Sequence, residues 1–251
     1  MPCVACRVTS GARAPALARG AAVRRRSAPL ASMPRDRRAP RCRVRAVLTV
    51  SDLQARRGRR VLFSGLALAA GPGQLLRVAG ANGAGKTTLL RMLVGLTSPA
   101  AGEVRWRGEP IAAQREAFHR ELVYIGHAAA LKDDLSALEN LRMLAALGGD
   151  GVSAAEAATA LAAAGLKGRE RLPARALSAG QRRRVVLARL ALDGPQRLWV
   201  LDEPFNALDV DAARWLSALV RDQLAAGGVV VLTSHQPLPL DGLVEPLTVN
   251  L

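Results

Sequence analysis

Aromatic residues are scarce in this sequence of 251 residues, which has only three Phe, three Trp and one Tyr. Half of the residues are nevertheless apolar, so a packed core would consist mainly of Leu, Val and Ala. A chain of this length can bury a sizeable core. The length predicts one domain, with room for a small subdomain.

Cysteine is absent after position 42, because the three cysteines are Cys3, Cys6 and Cys42. The rest of the chain therefore has no disulfide bond, which fits a reducing compartment. Cys3 and Cys6 form a Cys-x-x-Cys pair without a second pair of ligands at a usable spacing, so a zinc site is not expected.

Long hydrophobic runs are also absent. No stretch reaches 18 consecutive apolar residues, and the chain does not begin with a charged segment followed by an apolar one. We therefore expect that the chain does not cross a membrane by itself.

Acidic residues are almost absent from residues 1–45, which hold 12 arginines and a single acid, Asp36. This extension carries +11 of the net charge of +16, so the remainder is only mildly basic and no nucleic-acid partner is expected. Its Arg-, Ala- and Pro-rich composition predicts disorder. Three interpretations stay open: a transit peptide, upstream sequence before a true start at Met33, or a basic tail for anionic lipid or RNA.

A glycine-rich segment matches the phosphate-binding loop pattern G-x-x-x-x-G-K-[ST] at every fixed position. A predicted strand at 74–79 precedes it and a predicted helix follows it. Glycines allow backbone N–H groups to surround phosphate oxygens, Lys86 would reach the β- and γ-phosphates, and the Thr87 hydroxyl would ligate Mg²⁺. The segment predicts a nucleoside triphosphate and Mg²⁺ as ligands and comprises Gly80, Ala81, Asn82, Gly83, Ala84, Gly85, Lys86, Thr87 and Thr88.

Two carboxylates, Asp202 and Glu203, directly follow an apolar strand predicted at 198–201. Ligands bind beyond the carboxyl ends of strands in open parallel sheets. Asp202 is suited to hold Mg²⁺, and Glu203 is suited to polarise the water that attacks the γ-phosphate.

Strands and helices alternate along the chain, which predicts an α/β fold with a mostly parallel sheet. Capping-box sequences at Ser136, Ser153 and Ser178 predict three helix starts, and the block 136–192 is helical enough to predict a separate lobe. Further predictions are strands at 47–50, 60–63, 66–68, 122–125 and 228–233, a turn at 64–65, a hairpin at 103–108 and a helix at about 211–225.

The segment Leu177-Ser178-Ala179-Gly180-Gln181, 24 residues before Asp202, makes the chain resemble the ATP-binding cassette (ABC) ATPases. In that family this signature segment caps the γ-phosphate held by a second copy, so the resemblance implies a head-to-tail dimer. It further implies that Asp209 communicates across the dimer and that His235 contacts the γ-phosphate. The implied fold is a P-loop NTPase core over residues 46–251, with a small antiparallel β-subdomain and a helical signature lobe at about 128–192.

Three positions depart from the general ABC pattern. Ala179 replaces the usual second glycine of the signature, and His127 stands where most members carry a Mg²⁺-sensing glutamine. Arg57 occupies about the position of the aromatic residue that usually stacks on adenine. A guanidinium can also stack on a base, so contact with adenine through Arg57 remains a hypothesis.

Several further motifs resemble the ATPase of the bacterial haem exporter in cytochrome c maturation. They include Ile125-Gly126-His127, Asp202-Glu203-Pro204-Phe205 and Ser234-His235-Gln236-Pro237-Leu238. The resemblance implies a peripheral ATPase on the cytoplasmic face of the bacterial inner membrane, bound to integral membrane subunits of the cytochrome c maturation system. Two alternatives stay open: an ABC ATPase for another exported substrate, and a soluble ABC ATPase without a transport role.

Overall fold

The computed structural model describes residues 46–149, 151–192, 197–234 and 245–251. The extension 1–45 and His235 lie outside the described residues. The fold consists of two sheets and six α-helices within this part of the chain.

An antiparallel sheet of four strands has the order β2-β1-β4-β5. Its strands are β1 (Leu48–Arg57), β2 (Arg60–Ala70), β4 (Ala101–Trp106) and β5 (Glu109–Pro110). The prediction of a turn at residues 64–65 is wrong, because β2 continues through them. Gly65 has a φ of 67°, a left-handed conformation within a strand whose pairing with β1 shifts register near this point. Such a bulge gives the same sequence signal as a turn.

A second sheet of five parallel strands has the order β6-β7-β8-β3-β9. These strands are β3 (Leu75–Ala79), β6 (Leu122–Ile125), β7 (Leu198–Leu201), β8 (Val229–Thr233) and β9 (Leu247–Asn250). The predicted parallel sheet is confirmed, whereas the short edge strand β9 was not predicted. Because β6, β7, β8 and β3 are adjacent and parallel, the residues that follow them meet at one edge of the sheet.

The helices are α1 (Lys86–Leu93), α2 (Arg115–Arg120), α3 (Ala137–Leu147), α4 (Ala154–Leu161), α5 (Ala179–Leu187) and α6 (Val210–Ala225). The three predicted capping boxes are confirmed. Ser136, Ser153 and Ser178 each accept a hydrogen bond from the backbone N–H three residues later, and the side chain at that later position accepts one from the serine's backbone N–H. We call α3, α4 and α5 the helical lobe.

Three apolar clusters hold these layers together. The largest joins the two sheets and includes Leu89, Leu90 and Leu93 of α1. A second covers the other face of the parallel sheet with α6 and the end of α5, and a third fills the helical lobe with small residues such as Ala137 and Ala157. Helix α5 contributes to the second and third clusters, so it joins the helical lobe to the sheet. Among the described residues, no helix is both long and apolar enough to span a bilayer.

Candidate functional site: a phosphate loop and paired carboxylates

The glycine-rich loop connects β3 to the N-terminus of α1. Gly80, Gly83 and Gly85 have φ values of 149°, 79° and 107°, which L side chains rarely adopt. A Cβ at Gly85 would also lie 3.3 Å from side-chain atoms of Leu62 and Phe63 in β2. The loop therefore needs glycine for its conformation and for its close approach to the neighbouring sheet. N–H groups at the start of a helix have no intrahelical partner and favour an anion, so the start of α1 is suited to hold phosphate.

Lys86 is the first residue of α1 and is 8% exposed. Its Nζ donates to the backbone oxygen of Gly80 at 2.8 Å and to that of Ala81 at 3.2 Å. The ammonium group therefore lies inside the loop, where it adds positive charge to the exposed N–H groups.

Thr87 connects the phosphate loop to the paired carboxylates. Its Oγ1 donates to Asp202 Oδ2 at 2.8 Å, across 115 positions of the chain. Asp202 lies directly beyond β7 and is 2% exposed. The structure thus brings together the two residues that were predicted to hold Mg²⁺, and both present oxygen atoms, the ligand type that Mg²⁺ prefers.

Thr233 at the end of β8 completes a hydrogen-bond network with both carboxylate residues. Its Oγ1 donates to Asp202 Oδ1 at 2.7 Å and accepts from the backbone N–H of Glu203 at 2.8 Å. The sequence analysis did not assign Thr233 to the site. A hydroxyl that ends the wholly apolar stretch 229–232 of a buried strand is the signal that could have identified it.

Glu203 has a φ of 50°, in the left-handed region that non-glycine residues seldom occupy. Such a conformation costs about 1–3 kcal/mol, and it persists only where surrounding contacts enforce it. The residue is 7% exposed and lines the cavity described next.

A cavity of about 410 Å³ opens beside the phosphate loop and the carboxylates. Its lining also includes His127, which follows β6, and Arg57, at the end of β1. Asn206 lies in the lining too, although the sequence analysis did not single it out. The described lining comprises Arg57, Leu62, Asn82, Gly83, Gly85, Lys86, Thr87, Thr88, His127, Asp202, Glu203 and Asn206.

The signature segment lies at the N-terminus of α5, outside the lining of this cavity as far as the described residues show. Ser178 and Ala179 are exposed, and Ser178 Oγ accepts from the backbone N–H of Gln181 at 3.2 Å. A Cβ at Gly180 would lie 2.6 Å from the backbone oxygen of Ala207. Glycine is therefore required at position 180 by packing, whereas the exposed position 179 accommodates alanine.

Asp209 is the N-cap of α6, where its Oδ1 accepts from the N–H of Ala212 at 2.9 Å. Its other carboxylate oxygen lies 3.7 Å from Arg184 Nη1 of α5. Asp209 and the signature helix are thus in contact within one chain. His235, the predicted γ-phosphate contact, lies outside the described residues. Within the described ranges, no group of three or more His, Cys, Asp or Glu side chains is arranged to hold a metal ion.

Comparison with known proteins matches residues 63–206 to the ABC transporter family. A cytochrome c biogenesis ATP-binding export protein CcmA from Aromatoleum aromaticum is 55% identical over 77% of this chain and 90% of its own length. Proteins of the same name from Methylococcus capsulatus and Pseudomonas aeruginosa are 53% and 50% identical, over 78% and 77% of this chain and 95% of their own length in each case.

Solved structures of ABC transporter ATP-binding proteins also match this chain. An ATP-binding subunit of an ABC transporter matches with a TM-score of 0.66 and 28% identity, over 75% of this chain and 79% of its own. An ABC transporter ATP-binding protein from Pyrococcus furiosus matches with a TM-score of 0.67 and 26% identity, over 80% and 96%. The chain belongs to the ABC transporter family of ATP-binding proteins, and within it to the family of the cytochrome c biogenesis ATP-binding export proteins.

Proposed function

We propose that this protein is the ATP-hydrolysing subunit of a membrane transporter that exports or releases haem during cytochrome c biogenesis. The observation that carries the proposal is the 55% identity to a cytochrome c biogenesis export protein over 90% of that relative's length. The arrangement of the phosphate loop, Asp202 and Glu203 around one cavity supports ATP hydrolysis as its chemistry.

The substrate would bind with its phosphates in the loop before α1. Lys86 would contact the β- and γ-phosphates, and Gly83, Gly85 and the following N–H groups would surround their oxygens. Arg57 would lie against the base, because it lines the same cavity and a guanidinium can stack on an aromatic ring.

Mg²⁺ fits the pair formed by Thr87 and Asp202. Mg²⁺ typically takes one or two protein oxygens and fills its remaining positions with water and phosphate. The hydrogen bond of 2.8 Å between these side chains supports this assignment, because it brings two oxygen atoms together next to Lys86. When bound, the ion would neutralise charge that develops on the phosphates.

Hydrolysis would depend on Glu203, which would accept a proton from the attacking water. The Thr233 hydroxyl would fix the Asp202 carboxylate relative to the backbone of Glu203, because it donates to the first and accepts from the N–H of the second. His127, which lines the same cavity, would contact water or metal, and His235 would contact the γ-phosphate, as the family resemblance implies.

A second copy of the chain would complete the site. The exposed start of α5, with Ser178, Ala179, Gly180 and Gln181, would bind the γ-phosphate held by Lys86 of the partner. Asp209 is in contact with α5 through Arg184 and is therefore suited to transmit the state of one site to the other. Integral membrane subunits of the cytochrome c maturation system would be the further partners, at the cytoplasmic face of the bacterial inner membrane.

The replacement Glu203→Gln tests the proposed chemistry. We expect kcat for ATP hydrolysis by the purified full chain to fall by about a hundredfold, because an amide cannot accept the proton, while ATP affinity changes little. A matched control is Glu116→Gln, since Glu116 is exposed and pairs only with Arg120 among the contacts described for it. Hydrolysis by Glu203→Gln at the wild-type rate would remove Glu203 from this role.

A further inference from the structure

Arg183 in α5 is a buried arginine that contacts two chain segments of the candidate site, residues 126–127 and 202–203. It is 5% exposed, and an arginine is rarely buried this deeply unless its N–H groups have partners. Its Nη1 donates to the backbone oxygens of Gly126 at 2.7 Å and His127 at 3.3 Å. Its Nη2 donates to the backbone oxygens of Asp202 at 2.7 Å and Glu203 at 3.1 Å.

These four acceptors lie just beyond the ends of two neighbouring strands of the parallel sheet. The residues 126–127 follow β6 and the residues 202–203 follow β7, and the N–H of Asp202 donates to the oxygen of Ile125 at 2.8 Å. Beyond that bond the strands no longer pair, so the guanidinium of Arg183 becomes the next connection between them. A planar guanidinium can direct one nitrogen, with its two N–H groups, to the residues after β6 and the other to the residues after β7. A lysine ammonium cannot do this.

The peptide held by Arg183 includes the strained residue of the site. The left-handed backbone of Glu203 is fixed on its N–H side by Thr233 Oγ1. On its carbonyl side it is fixed by Arg183 Nη2 and by the N–H of Asn206 at 3.2 Å. Since strained residues persist only where their surroundings enforce them, Arg183 supplies part of that enforcement.

The charge of Arg183 also fits this location. Burial lowers its pKa, while the nearby carboxylates of Asp202 and Glu203 act in the opposite direction. An arginine remains protonated in such surroundings, so the side chain keeps all its donors.

We infer that Arg183 is a positioning residue for ATP hydrolysis, which fixes Glu203 relative to His127 by bonding to the carbonyls beyond β6 and β7. The inference rests on the proposed role of Glu203. Because Arg183 belongs to α5, it also ties these two chain segments to the helical lobe.

The test compares Arg183→Met and Arg183→Lys in the purified full chain, with kcat for ATP hydrolysis and Kd for ATP measured separately. Methionine removes every donor, and we expect kcat to fall about a hundredfold with Kd within about threefold of the wild type. Lysine keeps the charge but reaches only one pair of carbonyls, so we expect a loss of about tenfold. Arg182→Met is the matched control, because it removes a half-buried arginine and its ion pair with Asp133 from the same helix.

Both kcat and Kd are measured well below each variant's unfolding temperature, so that a fall in kcat reports the positioning of Glu203 and not a loss of folded protein. If Arg183→Met does not fold, Arg183→Lys decides: a folded lysine variant with wild-type kcat overturns the inference. A folded methionine variant with wild-type kcat overturns it as well. Glu203→Gln is run in parallel. If that variant still hydrolyses ATP, the proposed role of Glu203 fails. If Glu203→Gln loses hydrolysis while the Arg183 variants stay active, only the inference about Arg183 is rejected.

Discussion

Thr233 shows how much of the site depends on one hydroxyl group. This group is fully buried and serves as donor to one carboxylate and as acceptor for the peptide of the other. Thr233 therefore belongs to the site as well as to the core.

The replacement Thr233→Val tests this role at the scale of one atom. Valine keeps the shape but leaves Asp202 Oδ1 and the N–H of Glu203 without this partner. We expect a loss of stability of about 1–3 kcal/mol and a fall in kcat of roughly tenfold. Chemical denaturation and steady-state kinetics measure the two effects. Thr233→Ser keeps the hydroxyl and should retain most activity, so equal losses in both variants would contradict the account.

Single residues were predictable from the sequence only where a short motif fixes them. Lys86, Thr87, Asp202 and Glu203 follow from two motifs, and the structure brings all four to one cavity. Arg183 and Thr233 were not assigned to the site, because their partners lie 19 to 57 and 30 to 31 positions away and depend on strand order. Contacts between residues so far apart in the chain cannot be predicted from a local sequence pattern.

At the scale of elements, α5 connects the parts of the fold. Its N-terminus presents the signature residues, Arg183 holds the ends of two strands, and Gly180 packs directly against the backbone of Ala207. Ala207 has a φ of 61° and Glu203 a φ of 50°, so the segment before α6 is strained at two positions, one of which makes this contact. The helix and the segment therefore approach too closely for a side chain at position 180.

The replacement Gly180→Ala tests this fit. A Cβ at position 180 would lie 2.6 Å from the oxygen of Ala207, so α5 or the segment must shift. We expect a loss of stability of about 1–3 kcal/mol and a fall in kcat of at least tenfold. Gly151→Ala is the control, because a Cβ there meets open space in the same lobe. Wild-type activity and stability in Gly180→Ala would show that the contact is unimportant.

Elements were predictable where capping and periodicity agree. The capping boxes at Ser136, Ser153 and Ser178 all exist, since the hydrogen bonds that form them are local. The antiparallel sheet was predicted less well, because Gly65 provides a bulge inside β2 where the sequence indicates a turn. Strand length in such a sheet depends on pairing with β1, which a local pattern does not contain.

At the scale of the whole molecule, the proposed binding of the signature segment to the phosphate loop of a second copy predicts assembly of two chains. ATP should hold two chains of the Glu203→Gln variant together, because binding remains while turnover is slow. Light scattering after size-exclusion chromatography should show a doubled mass with ATP and a single chain without it.

Two serines that cap helices in the same way provide a matched comparison for this assembly. In the Glu203→Gln background, Ser178→Arg should abolish the dimer, whereas Ser153→Arg should retain it. Both changes remove an equivalent capping hydroxyl, which contributes about 1 kcal/mol, so any difference reports the interface and not folding. Equal dimerisation in the two variants would contradict the proposed role of the signature segment.

Deletion of the gene in its own organism tests the central claim most directly, with covalent haem attachment to c-type cytochromes as the measurement. The account predicts that holocytochrome c is lost and returns with the wild-type gene but not with Lys86→Ala, which removes the loop's ammonium group. Normal holocytochrome c in the deletion strain, with no second copy of the gene present, would contradict the role in cytochrome c biogenesis and leave an ABC ATPase with another substrate.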